Sequence, residues 1–390
     1  MRQLEGYLLT PAGFVMGQVA FTDTIQAIEG QTIEGQIVEG QTVKGDPAVP
    51  TLPAQATRLI LPGFIDTHVH GGGGGDTMDG AAGVRTLAKF HAQHGTTTLY
   101  PTTITNPWEK ILAALTGVKQ VQRETGLPDI PGVHLEGPFI NPAKLGAQPP
   151  FTLTPTQGML EQLLSFNIIR LVTLAPEIAG AHLAAEVLAR ANIRISFGHT
   201  LGSFQDAQML ASIIKNAGGT LGYTHLYNAM TPLTSREPGM VGAALTDRDA
   251  FAELIFDTHH VHPASMLAAF YAKPDKLALI TDSIRASGHP DGESELGGQR
   301  VFVKDSAARL ADGTLAGSVL TLDVALRNAV AAGLTLAQTS RALSSVPAAY
   351  MGLTDRGEIT TGKRADVVVL AADLQVQETI VAGQSIYRAT

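Results

Sequence analysis

The sequence predicts an α/β protein, a (β/α)8 barrel with a small β-sandwich built from both ends of the chain. Three observations carry this. The chain has 390 residues, 44% hydrophobic and 16% charged, enough to bury one large barrel core and an accessory module. Its middle alternates apolar runs with stretches of helical period. Its two ends show short β-branched runs punctuated by turn residues.

The N-terminal segment contains "IEGQTIEGQIVEGQTVKGD", a repeating five-residue unit that reads as short β-hairpins with glycine turns. The C-terminal "ADVVVLAADLQVQETIVAGQSIY" has the same character. Residues 1–58 and 362–390 are therefore assigned to the sandwich, and 59–361 to the barrel. Across the middle, apolar runs end at Asp66, near Pro101, at Glu136, near Leu174, at Gly198, at His225, at Asp257 and at Asp282. Helical patterns such as "AAGVRTLAKFHAQHG" and "AGAHLAAEVLARANI" lie between them, each running into Gly or Asn where a helix can stop. Eight strands alternating with helices, at roughly 25–35 residues per unit, are what a (β/α)8 barrel needs. Residues 285–318 break the rhythm and read as an inserted hairpin or lid, followed by a last helical stretch, "TLDVALRNAVAAG".

The net charge of −8, with no Lys/Arg run, disfavours nucleic acid and anionic membranes as partners. It leaves an anionic small substrate open, because one placed arginine decides that locally. The chain has no cysteine, which rules out disulfides and thiolate metal sites. The first residues lack a signal-peptide pattern, and no run of about 20 apolar residues occurs. The expectation is a soluble cytoplasmic protein.

The distinctive feature is what stands at the strand ends. "LPGFIDTHVH" ends in His68 and His70, "IPGVHLEGP" carries Glu136, "IRISFGHT" carries His199, "TLGYTHLYNAM" carries His225 and "LALITDS" carries Asp282. In such a barrel the C-terminal strand ends converge on one mouth, where catalytic groups sit. His68 and His70 are two apart, so on a strand they share a face and can reach one ion. Imidazole and carboxylate without sulfur suit Zn²⁺, Fe²⁺, Mn²⁺ or Co²⁺. Packing does not explain so many buried polar groups in one place, because unpaired ones are costly to bury. His91 and His94 fall on a helical pattern as surface or core residues. His134 shares a strand face with Glu136 and is a candidate supporting group. Of His259, His260 and His262, at least one is expected to face the mouth, and His289 is expected in solvent. The glycines 71–75 lack the GxxxxGK[ST] phosphate-loop pattern. They are expected to turn the backbone tightly beside the metal and leave room for substrate.

"PGFIDTHVHGG" resembles the first-strand motif of the amidohydrolase superfamily. Together with "HLEGPF", "FGHT", "THLYNAMTPL", "REPGMVGA", "ITDS" and "LAGSVLT", from about Leu61 to Thr321, the chain resembles its N-acetylglucosamine-6-phosphate deacetylases. The resemblance implies a deformed TIM barrel with a β-sandwich from both termini. It implies a divalent metal, zinc foremost, on Glu136, His199 and His225, with a second ion added where the His68–His70 pair is present. It implies Asp282 as catalytic acid and base. Substrate contacts carry over to Ala147, Gln148, Asn228, Ala229, Arg236 and His260, and to Leu315, Ala316 and Gly317. Arg236 and His260 would hold the sugar phosphate, one of them supplied by the neighbouring subunit of a homodimer. Gln148 stands where many members carry His; it can donate and accept a hydrogen bond but carries no charge.

The reaction implied is hydrolysis of the N-acetyl amide of N-acetylglucosamine 6-phosphate, or of its galactosamine epimer. Other amidohydrolases (dihydroorotase, allantoinase, D-aminoacylase) are disfavoured, since many bridge their metals with a modified lysine where Glu136 stands here. A metal-free sugar-phosphate binding protein is disfavoured by the full ligand set with Asp282.

Overall fold

The computed structural model describes residues 1–33 and 58–390. Both termini join one seven-stranded sheet, in the order Gln384–Arg388, Val376–Val381, Val367–Ala371, Arg58–Pro62, Arg2–Thr10, Gly13–Phe21 and Ile25–Thr32. The sheet curls over a core of its own, which joins Leu8, Val19 and Phe21 to Ile60, Val367 and Ile380. The start of the Ile25–Thr32 strand is tied to the segment before Val367–Ala371: Ile25 N–H donates to Lys363 O, and its carbonyl accepts from Gly362 N–H. The opposite face, with Leu59, Leu61, Val368 and Leu370, packs into the barrel's outer core. Strand Arg58–Pro62 belongs to this sheet, so the boundary drawn at 58/59 falls inside a strand. Of the glycine-rich repeat, the part up to Thr32 forms the strand paired with Gly13–Phe21. The rest of it, from 34 onward, lies outside the described residues.

Eight parallel strands form the barrel: Phe64–Val69, Thr96–Thr103, Val133–Glu136, Ile169–Leu174, Arg194–Phe197, Leu221–Tyr223, Ala252–Ile255 and Leu277–Ile280. The first six make one sheet, and the last two pair with each other. Closure comes from a few irregular bonds rather than full ladders, which is the deformation. On one side Phe251 N–H donates to Leu221 O, Tyr223 N–H to Phe251 O and Leu226 N–H to Glu253 O; on the other, Asp282 N–H donates to His68 O, His70 N–H to Ser283 O, and Val69 bridges Ser283. The barrel's lower end is filled by Ile65, Tyr100, Leu171, Phe251 and Ala278 against Val346, Ala348 and Tyr350 of the last helix, Ser345–Met351.

The two quoted helical patterns form Ala81–Ala92 and Ala181–Arg190, each packing its apolar stripe inward. The segment after the eighth strand is a three-stranded antiparallel meander, Gly292–Leu296, Gln299–Lys304 and Ala307–Arg309. Its Leu296, Val301 and Val303 form a small core with Ile104, Ala147 and Ile284 beside the mouth. It is fastened by packing, with the chain resuming as helix Leu322–Ala331.

Candidate active site

Glu136 closes the third strand, and His199, His225 and Asp282 each stand two residues beyond their strand's end. These last three adopt left-handed backbone, with φ of 49°, 34° and 48°. Non-glycine residues rarely take that conformation, and it clusters at functional sites. Here it turns each side chain from the strand direction towards the barrel axis. Backbone bonds hold the turns: Asn141 N–H to His199 O, Asn228 N–H to His225 O and Ser318 N–H to Asp282 O.

Glu136 is the centre. Its Oε1 lies 3.1 Å from both His199 Nε2 and His225 Nε2. Its Oε2 lies 3.1 Å from His70 Nε2 and 3.6 Å from His68 Nε2. Asp282 Oδ1 sits 3.2 Å from His70 Nε2 and 3.5 Å from His68 Nε2. All six side chains are buried. Burial alone would raise the Glu136 carboxyl, but the surrounding imidazoles, His68 foremost, outweigh it and hold it well below the ordinary range. Asp282 is lowered in the same way, burial opposing and His68 and His70 prevailing.

The donor set fits a divalent cation. His70, His199 and His225 each place Nδ1 against a main-chain carbonyl, of Thr102, Lys144 and Asn228 respectively. A carbonyl only accepts, so Nδ1 carries the proton and each Nε2 turns a lone pair inward. His199 Nε2 and His225 Nε2 then face each other across 3.1 Å beside a carboxylate oxygen. That is repulsive until a cation lies between them. Tetrahedral ligands at about 2.0–2.1 Å from zinc stand roughly 3.3–3.4 Å apart, close to what is observed. Three groups result: Glu136–His199–His225, His68–His70–Asp282 and, sharing His68, His68–His134–Glu253. Glu136 turns its second oxygen to the second of them, and only the first two border the cavity.

A cavity of about 340 Å³ opens above these groups, a size suited to a small molecule. His70, Glu136, His199 and Asp282 line it, as do the expected contacts Ala147, Gln148, Asn228, Ala229, His260, Leu315 and Gly317. Gly317 has φ 54°, and a Cβ there would come within 2.6 Å of Ile284, so only glycine fits beside Asp282. Ala316 is buried behind this wall, its N–H bonded to Ala308 O. Arg236 is exposed and does not line the cavity of its own chain. Gln148 differs from the simple contact expected. Its Nε2 donates to Glu136 Oε2 at 2.6 Å, and its Oε1 accepts from Thr105 N–H at 2.7 Å.

The remaining histidines sort clearly. His260 faces the cavity, its Nδ1 donating to Asp257 Oδ2 at 2.7 Å, whereas His262 accepts from Ala264 N–H at a helix start. His134 lies beneath His68, ring centroids 4.5 Å apart, and bonds the Thr173 hydroxyl. His91 is buried and bonds Gly71 O; His94 meets Asp323, and His289 is exposed. The five glycines do not line the cavity. They let their loop press between its flanking segments, since a Cβ on Gly71 would lie 2.5 Å from Arg285 N. Asp66 is internal to the first strand, which runs on to Val69, and it accepts from the Thr281 hydroxyl of the closing segment.

Three groups escaped the sequence reading: Lys144 on the cavity wall, Asp257 orienting His260, and Glu253. Glu253 was detectable as a lone carboxylate inside the apolar run "FAELIF".

The amidohydrolase family model matches residues 59–386. The chain is 40% identical over 348 residues to the N-acetylgalactosamine-6-phosphate deacetylase of Escherichia coli O157:H7, covering 86% of this chain and 91% of that one. It is 38% identical over 349 residues to the N-acetylglucosamine-6-phosphate deacetylase of Bacillus subtilis, covering 87% of each. The crystal structure of N-acetylglucosamine-6-phosphate deacetylase from Thermotoga maritima superposes with a TM-score of 0.85 at 31% identity, covering 100% of both chains. With the family match spanning most of its length and a carboxylate set between facing histidines at the mouth of its barrel, this chain belongs to the amidohydrolase family.

Proposed function

We propose that this chain hydrolyses the N-acetyl amide of N-acetylglucosamine 6-phosphate, giving glucosamine 6-phosphate and acetate. The observation that carries the reading is Glu136 turning one oxygen to each of two histidine pairs, with Asp282 beside them on the cavity wall. The names of the relatives supply the substrate class, an amino-sugar phosphate.

Glu136, His199 and His225 would hold one divalent ion; His68 and His70, with Glu136's second oxygen and Asp282, would hold another. Zinc suits the oxygen and nitrogen donors, with iron, manganese and cobalt as alternatives. Such an ion lowers the pKa of a water it binds towards ~7 and polarises an amide carbonyl. Asp282 accepts the proton of the attacking water on a carboxylate oxygen. It then gives that proton to the departing nitrogen, which leaves as an amine rather than an amide anion. Asn228, His260 and the backbone at Ala229, Leu315 and Gly317 orient the sugar. His260, held by Asp257, and Arg236 of the partner subunit would take the phosphate, the arginine as a charged fork. The exposed place of Arg236, outside its own cavity, supports a homodimer. A sugar phosphate is charged and stays in the cell that makes it, which supports a cytoplasmic site.

The galactosamine epimer is the alternative, carried by the Escherichia coli relative. Acetate release from both 6-phosphates, measured side by side with metal content on one preparation, tests the reading. The glucosamine substrate is expected to turn over faster. A tenfold preference for the epimer would reassign the substrate, and no acetate from either, with metal bound, would refute the proposal.

A further inference from the structure

We infer that Glu253 is the positioning residue of His68, an anionic partner that makes the inner histidine of the pair a strong cation ligand. The inference rests on the reading that His68 and His70 hold a cation. Glu253 lies on the seventh barrel strand, fully buried between Ala252 and Leu254. Its Oε1 accepts from the Thr67 hydroxyl at 2.5 Å. Its Oε2 has no hydrogen-bond partner, and neither has His68 Nδ1, which faces it at 3.6 Å. Two buried polar atoms without partners, one a donor and one an acceptor, therefore point at each other.

The other three histidines of the site turn Nδ1 to main-chain carbonyls. His68 alone among them turns it to a carboxylate. A charged acceptor binds an N–H roughly twice as strongly as a neutral one. It fixes the tautomer with Nε2 free and raises the basicity of that nitrogen. The relation is reciprocal. A buried carboxylate supported only by a hydroxyl is costly, and breaking the pairing of such a charge costs more. A cation on His68 Nε2 sends positive charge through the ring to Glu253. Glu253 is thus compensated more fully with the cation than without it.

This predicts a loss confined to one cation. Glu253→Gln keeps the shape and the bond to Thr67 while removing the charge. Metal-free Glu253→Gln should stay folded. Its affinity for the cation at His68–His70 should fall about 10- to 100-fold, with the Glu136–His199–His225 cation unchanged. Calorimetric titration of metal-free protein with Zn²⁺, ion counts by mass spectrometry and melting of the metal-free form read all three. Thr67→Val, which frees Glu253 Oε1, should weaken the same cation severalfold and serves if Glu253→Gln does not fold. Two cations bound as tightly as in wild type by either variant would overturn the inference. So would a metal-free Glu253→Gln that melts well below wild type with unchanged affinities, which is what a packing role alone produces. A wild type that binds a single cation would instead remove the two-cation reading, and the inference with it.

Discussion

Replacing Gln148 with alanine separates two roles for this residue. As a sugar contact, its loss would raise KM and leave the free enzyme untouched. In the structure its side chain is buried, with Oε1 held by Thr105 N–H at 2.7 Å and Nε2 against Glu136 Oε2 at 2.6 Å. Truncation leaves the buried Thr105 N–H without a partner, a cost of about 1–3 kcal/mol. It also removes a bond to a charged acceptor, of about 1.5–3 kcal/mol. The two are not additive, because the adjoining cavity lets water reach the vacated space, so a net loss of about 2–3 kcal/mol is expected. Glu136 should also hold its ions less firmly, since it loses the donor that fixes its carboxylate plane. Denaturant unfolding of the substrate-free enzyme and metal titration of the same protein provide the assay. Stability and metal affinity both at wild-type level, with KM raised, would refute the positioning role and restore the contact role.

Asp282→Asn should retain most of its metal and lose about 10²–10⁴ in kcat, read by acetate release with metal content measured in parallel; near-normal turnover would sink the assignment. Arg236→Ala should raise KM strongly for the phosphorylated substrate, and an equal rise with a substrate lacking phosphate would contradict the phosphate role. His68→Ala together with His70→Ala should reduce bound metal from two ions to one per chain; unchanged stoichiometry would leave the pair without a metal role. Burial raises the Asp366 carboxyl to about 6 against the pull of Arg364 and Arg356. Below about pH 4 the folded and unfolded chains both hold that proton. From there to about pH 6 only the folded chain does, so stability falls as pH rises, by on the order of 3 kcal/mol in all. Asp366→Asn should flatten that slope in pH-dependent unfolding.

The barrel was readable because its strands are short apolar runs, most of them stopping at or just before a polar residue, a purely local pattern. The ends were readable as β for the same reason. What Gln148, Glu253 and the glycine run do was not readable, because each depends on a neighbour far away in the chain. The glycine loop shows this plainly. Its dihedral freedom suggested space for a ligand, yet that space is taken by Arg285, Phe90 and His91. Gln148 read as a substrate contact, but Thr105 and Glu136 occupy both ends of its amide.

By itself the sequence determined which side chains reach the mouth, since strand alternation and strand ends are set by residues a few positions apart. It thereby named the candidate donors Glu136, His68, His70, His199, His225 and Asp282. Only the tertiary structure decided how those groups face one another: one Glu136 oxygen for each histidine pair, Nδ1 protons tied to Thr102, Lys144 and Asn228, and Glu253 set behind His68. The reason is geometric. Hydrogen-bond partners here are up to 215 positions apart, and barrel closure, which no local pattern encodes, brings them within reach.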